Sequence, residues 1–149
     1  EVFSLYMDGK KKFEGTYHSG KMTGWTEWEW YDNGQKKGER TYKNLRKDGV
    51  WTSWYENGQK SSEGTYKDGE YDGLHTTWYE NGQKKYVGRY RNKKKNGKWT
   101  QWHENGEKWT EGLYKNGEKV GKWNFWYPSG KKWATGKYKN GELIDVKTD

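Results

Sequence analysis

The sequence predicts an all-β protein: an elongated, single-layer antiparallel meander of about twelve strands, built from 24-residue hairpin repeats. Three observations predict it. The chain repeats itself at a fixed step. Each repeat carries two turn signals separated by short runs rich in Trp, Tyr and Thr. The apolar content is almost wholly aromatic, supplying 19 of the 28 percentage points of hydrophobic residues, so no aliphatic core of the usual kind can be assembled. Low hydropathy with a net charge of +8 is a disorder signature, but disordered chains are poor in aromatics and this one has 12 Trp and 13 Tyr. Order must therefore come from the rings.

Aligned on Asn-Gly, WYENGQK at Trp54–Lys60 recurs at Trp78–Lys84, as WHENGEK at Trp102–Lys108, and more loosely at Trp30–Lys36 and Trp126–Lys132. The second half recurs as well: EGTYKDG at Glu63–Gly69 is answered by segments starting at Glu14, Val87, Glu111 and Thr135. Turn glycines fall at Gly9, Gly34, Gly58, Gly82, Gly106 and Gly130. The first step is 25 residues, which predicts a bulge or longer loop near Trp25–Trp30. Residues 1–149 thus read as one array of about six repeats, the first partial.

Within a repeat, taking Asn57-Gly58 as a two-residue turn pairs Tyr55 with Lys60, Trp54 with Ser61, Ser53 with Ser62, Thr52 with Glu63, Trp51 with Gly64 and Gly49 with Tyr66. One face then sets large rings over cross-strand glycines, a known means of pinning register. In the next repeat His75 stands in the Trp51 column. Leu45, Arg40 and Lys93 depart from the pattern, sitting where it expects other residues, the first two in place of glycine. The other face is polar apart from one Trp per repeat: Trp30, Trp54, Trp78, Trp102 and Trp126.

The G-x-W-x-x-W-Y-E-N-G-Q-K run from Gly49 to Lys60, echoed at Gly97–Lys108 and Gly121–Lys132 and followed by E-G-x-Y-K-x-G, resembles the MORN repeat family (membrane occupation and recognition nexus) in its second, mostly bacterial variant. The resemblance spans nearly the whole chain. It implies an elongated, twisted antiparallel meander, in agreement with the strand reading. It also implies roles described for relatives: protein-interaction scaffolds, phospholipid-associated modules and, for bacterial arrays, antitoxin components of toxin–antitoxin pairs. No residue signature transfers with any of these. Choline- and glucan-binding wall modules also string Trp/Tyr/Gly hairpins, but their repeats are shorter and lack the ENGQK turn.

Catalysis finds little support. His18, His75 and His103 occupy non-equivalent positions, none with a metal-ligating partner or nucleophile at a suitable spacing. His75 and His103 read as ring-for-ring replacements in the Trp51 and Tyr55 columns. Asp32, Glu56, Glu80 and Glu104 form a column before the turns, where a carboxylate can accept backbone N–H bonds. No cofactor or metal motif is present, and with no cysteine there is neither a disulfide nor a thiolate site.

Two columns remain as candidate binding positions. The first is the row Trp30, Trp54, Trp78, Trp102 and Trp126, which either covers the second face for stability or contacts a ligand. The second is Lys36, Lys60, Lys84, Lys108 and Lys132, with Arg89, Arg91, Lys93, Lys94 and Lys95 as a further basic cluster in one loop. The basic column serves either solubility and edge protection or an anionic partner. These features predict a non-enzymatic interaction scaffold with a protein partner. The alternative is an anionic phospholipid surface or a cell-surface glycan; nucleic acid is disfavoured by the 21 acids among 29 bases. No apolar run reaches the length of a membrane span. The chain begins at Glu1 without Met, which leaves both a removed export signal and a fragment open, so localisation is undetermined between cytoplasm and export.

Overall fold

After a first two-residue turn at Asp8-Gly9, two kinds of turn alternate along the chain from Ser19-Gly20 onward and set everything else. At Asp68-Gly69 both residues have positive φ, 50° and 94°, the signature of a two-residue primed turn whose twist matches the flanking strands. At Asn57-Gly58 only Gly58 has positive φ, 84°. There the Gly58 N–H donates to the Tyr55 carbonyl at 2.9 Å, and the Tyr55 N–H to the Gln59 carbonyl at 2.7 Å. This is a type I turn closed by a glycine bulge rather than a two-residue turn.

The computed structural model, which describes residues 1–149, is all β. The strands are β1 (Val2–Met7), β2 (Lys10–His18), β3 (Lys21–Trp30), β4 (Lys36–Lys43), β5 (Arg46–Lys47), β6 (Gly49–Trp54), β7 (Lys60–Lys67), β8 (Glu70–Trp78), β9 (Lys84–Arg91), β10 (Lys94–Trp102), β11 (Lys108–Lys115), β12 (Glu118–Trp126), β13 (Lys132–Lys139) and β14 (Glu142–Thr148). They form one open antiparallel sheet of 14 strands in sequential order, with the short β5 pairing β4 beside the main path. The expected meander of hairpin repeats is what forms, with two strands more than expected.

Register follows the alternating pattern from Gly49↔Tyr66 to Ser53↔Ser62, then slips by one so that Trp54 faces Lys60, not Ser61. The glycine bulge causes the slip, and the consequence is large: Lys60 leaves the face of Tyr66 and Gly64 for that of Trp54. The extra residue of the first step lengthens β3, whose register slips against β4 between Glu29 and Trp30, as in the other repeats, and against β2 at Thr23. Strand β3 has ten residues against nine in β8, and it pairs with β4 without a break from Gly24 to Glu29.

The core is a single line of rings on one face. Trp25, Tyr42, Trp51, Tyr66, Tyr71, His75, Tyr90, Trp99, Tyr114, Trp123 and Tyr138 follow one another with centroids 4.3 to 6.1 Å apart. These are the offset and edge-to-face geometries that aromatic quadrupoles favour. Trp99 and Trp123 are only 3% and 2% exposed, burial that a single-layer sheet reaches because each ring lies flat on backbone. A Cβ on Gly88 would overlap the Trp99 ring, one on Gly112 the Trp123 ring, and one on Gly64 the His75 ring. The expectation of rings over glycines is met, with one correction: the ring leans over the strand before it, not over the glycine of its own hairpin. Indole hydrogen bonds fix that direction, Trp51 Nε1 donating to the Thr41 carbonyl at 2.8 Å, and Trp99 to Arg89 and Trp123 to Leu113, both at 3.2 Å. Where Arg40 replaces the glycine beneath Trp51, its guanidinium lies 5.7 Å from that ring and pairs with Glu29 at 2.8 Å.

Candidate binding face

The second face carries the Trp row, and the register slip brings the Lys column onto it. All five tryptophans of the row are half-buried. The lysine of one repeat stands over the indole of the next: Lys36 over Trp54 at 5.0 Å, Lys60 over Trp78 at 5.8 Å and Lys108 over Trp126 at 5.5 Å from ring centroids. In the first repeat Lys10 stands over Trp30 at 5.5 Å. Attraction of an ammonium to the indole face at such distances holds the stem down over the ring. The same lysines reach an acid three residues on, Lys36 to Glu39 at 2.8 Å, Lys108 to Glu111 at 2.9 Å, and Lys60 to Glu63. Lys11 and Glu14 make the corresponding pair in the first repeat. That bond to Lys11 holds the Glu14 carboxyl below its usual range. At Glu111 burial pulls the pKa up, but the bonds from Lys108, Lys98 and Thr100 outweigh it and the net shift is downward.

The two candidate columns are therefore one lattice of indole, ammonium and carboxylate. It is interrupted twice. Val87 and Thr135 stand where the acid belongs, and Lys84 and Lys132 form no ion pair.

The turn edge is tied together by side chains. Tyr31, Tyr55 and Tyr79 donate from their hydroxyls to the carbonyls of Trp54, Trp78 and Trp102 at 2.8 to 2.9 Å, and His103 takes the same place against Trp126 at 3.1 Å. The reading of His103 as a ring replacement in the Tyr55 column thus agrees with its geometry. The acids Asp32, Glu56, Glu80 and Glu104 do not cap the turns as expected. Asn33, Asn57, Asn81 and Asn105 do so instead: each Oδ1 accepts the N–H two residues on at 2.9 to 3.0 Å, and each Nδ2 donates to the next repeat at 2.7 to 2.8 Å. An amide both donates and accepts, so it joins two repeats where a carboxylate serves only one.

The basic cluster at 89–95 is divided by the sheet. Arg89 lies on the Trp-row face, whereas Lys95 threads between Trp99 and Tyr114 on the core face, its ammonium 4.4 and 5.1 Å from their centroids. Lys47 and Lys119 do the same beside Trp51 and Trp123, both at 4.4 Å. Burial pushes the Lys95 and Lys119 ammonium groups below their ordinary pKa. The signal for this third lysine column was the spacing 47, 95, 119 with Tyr71 in the gap, hidden by the denser lysines around it.

No group of three or more His, Asp or Glu side chains is arranged to hold a metal ion. No helix is long and apolar enough to cross a membrane.

A sequential sheet of hairpins whose repeats are joined by identical side-chain ladders defines a β-repeat array. A family model described as a MORN repeat variant matches residues 27–44, 47–68, 71–92, 95–116 and 119–140, and the chain belongs to that family. It is a non-catalytic repeat family generally associated with membrane or protein binding. A search of curated proteins gives no match. Among solved structures, the glycosylation associate protein complex from Streptococcus agalactiae is similar at 17% identity and a TM-score of 0.40, covering 68% of this chain and 19% of that one. This chain thus spans about a fifth of that relative's length.

Proposed function

We propose that the protein is a non-catalytic interaction scaffold that binds a protein partner across the indole–ammonium–carboxylate face. The observation that supports this reading is the recurrence of one half-buried Trp–Lys unit at Trp54, Trp78 and Trp126, which presents several equivalent aromatic anchors along a single extended surface. Aromatic anchors with charged rims are what dominate protein recognition energetically. An antitoxin-like role, with a toxin as the partner, is one instance of this reading; the similar proteins found do not carry that description.

The unpaired Lys84 and Lys132 and the net charge of +8 support a second reading, an anionic phospholipid surface or a cell-surface glycan. The two separate by salt. Binding to acidic liposomes or polysaccharides through charge weakens steeply with ionic strength, whereas aromatic anchoring of a protein survives it. The decisive variant replaces Trp54, Trp78 and Trp102 together by Thr, with partner retention and urea stability measured on the same preparation. Loss of the partner from a folded variant is the expected result. Full retention with lowered stability assigns the row to folding alone.

A further inference from the structure

Five repeats of one lattice serve as controls for each other, and the repeat ending at Trp102 breaks the rule in a specific way. At Trp54, Trp78 and Trp126 a lysine of the preceding repeat covers the row tryptophan, and that lysine is tethered by the glutamate three residues on, whereas at Trp30 the two tasks are split between Lys10 and Lys11. At Trp102 the glutamate is replaced by Val87, and Lys84 neither pairs with an acid nor stands over the indole. No cation stands over the Trp102 face, which is half-buried like the rest of the row. Beside it Leu74 is 44% exposed, and Leu74, Val87 and Trp102 line an open depression of about 360 Å³ ringed by Lys84, Arg89 and Lys98. Lys98 is held by Glu111 at 3.1 Å, but Lys84 and Arg89 have no acid partner. The other interruption is different in kind, because the depression beside Lys132 and Thr135 has no hydrophobic residue in its lining. One place on this face therefore combines an indole with no cation over it, two aliphatic side chains and two unneutralised cations.

We infer that the depression at Val87 and Trp102 is the point where the scaffold takes a partner segment carrying a carboxylate side chain next to an aliphatic or aromatic one. This rests on the protein-binding reading and narrows it from the whole row to one repeat. The apolar side chain replaces water over Val87, Leu74 and the Trp102 ring, while the carboxylate takes the place of the missing glutamate between Lys84 and Arg89. A bidentate guanidinium and an ammonium on one side favour carboxylate over neutral polar groups, and the two aliphatics reject a segment that is acidic alone.

The test uses the full chain, labelled to show the indole N–H signals of its 12 tryptophans, with the Trp102 signal assigned from Trp102→Phe. The probes are short capped peptides that alternate Glu with Leu, Glu with Ser, or Lys with Leu. The Glu–Leu peptide is expected to move the Trp102 signal selectively, and the other two to leave it in place. Val87→Glu, which restores the residue found in neighbouring repeats and so preserves folding, is expected to weaken Glu–Leu binding by about tenfold or more, as loss of one apolar wall and introduction of one like charge imply. Lys84→Gln and Leu74→Thr are expected to weaken it separately. Equal movement of the Trp54, Trp78 and Trp102 signals overturns this site while leaving the row-wide reading intact. So does unchanged binding by Val87→Glu, or movement of the Trp102 signal by acidic vesicles or an oligosaccharide but not by the Glu–Leu peptide. Absence of any movement, with partner retention still lost in the triple Trp→Thr variant, again removes the site and keeps the scaffold.

Discussion

Gly88 is a glycine for space, not for backbone freedom. Its φ is not in the left-handed region, yet any Cβ there would meet the flat of the Trp99 ring. Gly88→Ala is therefore expected to destabilise the protein by about 1–3 kcal/mol, the usual cost of forcing a methyl group into a packed contact, read from the urea midpoint. His75 fills the equivalent position with a smaller ring and pays for it in pH sensitivity. Burial among Tyr71, Tyr86 and Tyr90 pushes its pKa below the ordinary 6.5, and Lys95 adds a smaller push in the same direction. Its Nδ1 has no hydrogen-bond partner. The unfolded chain then binds the proton more readily than the folded one, so stability falls as pH drops below about 6.5 and levels off once the folded imidazole is also protonated. Melting temperatures measured at closely spaced pH values should show this decline. His75→Trp, the ring used at the matching positions Trp99 and Trp123, should flatten the curve above the carboxylate range.

At the scale of the hairpin, the two turns carry different loads. The five-residue turns join one repeat to the next through Tyr and Asn, so Tyr55→Phe, which removes one hydroxyl bond to the Trp78 carbonyl, is expected to cost about 0.5–1.5 kcal/mol. Asn57→Ala should cost more, since it releases the Gln59 N–H and the Glu80 carbonyl together. The two-residue turns reach the preceding repeat through backbone instead, Gly69, Gly117 and Gly141 donating to the carbonyls of Lys47, Lys95 and Lys119, and two turns of this kind carry strain. Lys93 and Leu45 hold φ of 66° and 63° at positions where the other primed turns have glycine. Lys93→Gly relieves a left-handed side-chain conformation worth roughly 1–2 kcal/mol and adds back up to about 1 kcal/mol of unfolded-chain entropy. The Lys93–Glu70 pair lost with it is solvent-exposed and contributes little. A small net stabilisation is expected in chemical denaturation.

Over the whole molecule the sheet has two ends and no layer covering it. Terminal strands β1 and β14 have a neighbour on one side only, and every residue of β14 is exposed. Stability in such an array is a sum over neighbours, so it should peak away from the ends. Hydrogen exchange followed by mass spectrometry is expected to be slowest in β10–β12, where Trp99 and Trp123 are buried, and fastest in β1, β5 and β14. Uniform protection along the sheet would mean that the array unfolds as a single cooperative block.

Much of this could be read without coordinates, and the failures have physical causes. Alternation of ring and glycine was enough to pair Gly49 with Tyr66 and Trp51 with Gly64, since only one register puts small residues under large ones. The Asn-Gly turn was not decidable in the same way. Asn-Gly suits a two-residue primed turn and equally a type I turn ending in a glycine bulge, and the local residues do not choose between them. The difference of one residue moved the Lys column from one face to the other. The lean of each indole toward the preceding strand was equally hidden, because Trp51 is flanked by a strand on both sides and the choice is made by the carbonyl its Nε1 reaches.

The amino-acid sequence by itself determined the repeat, the strands, the absence of helices and the replacement of an aliphatic interior by rings over glycine, because these follow from period, composition and local backbone preference. Only the tertiary structure decided that Lys36, Lys60 and Lys108 belong to the tryptophans of the following repeat, and that no lysine stands over Trp102, where Val87 replaces the acid. Those relations join residues of adjoining repeats that only the pairing of their strands brings together, and nothing within one repeat specifies them.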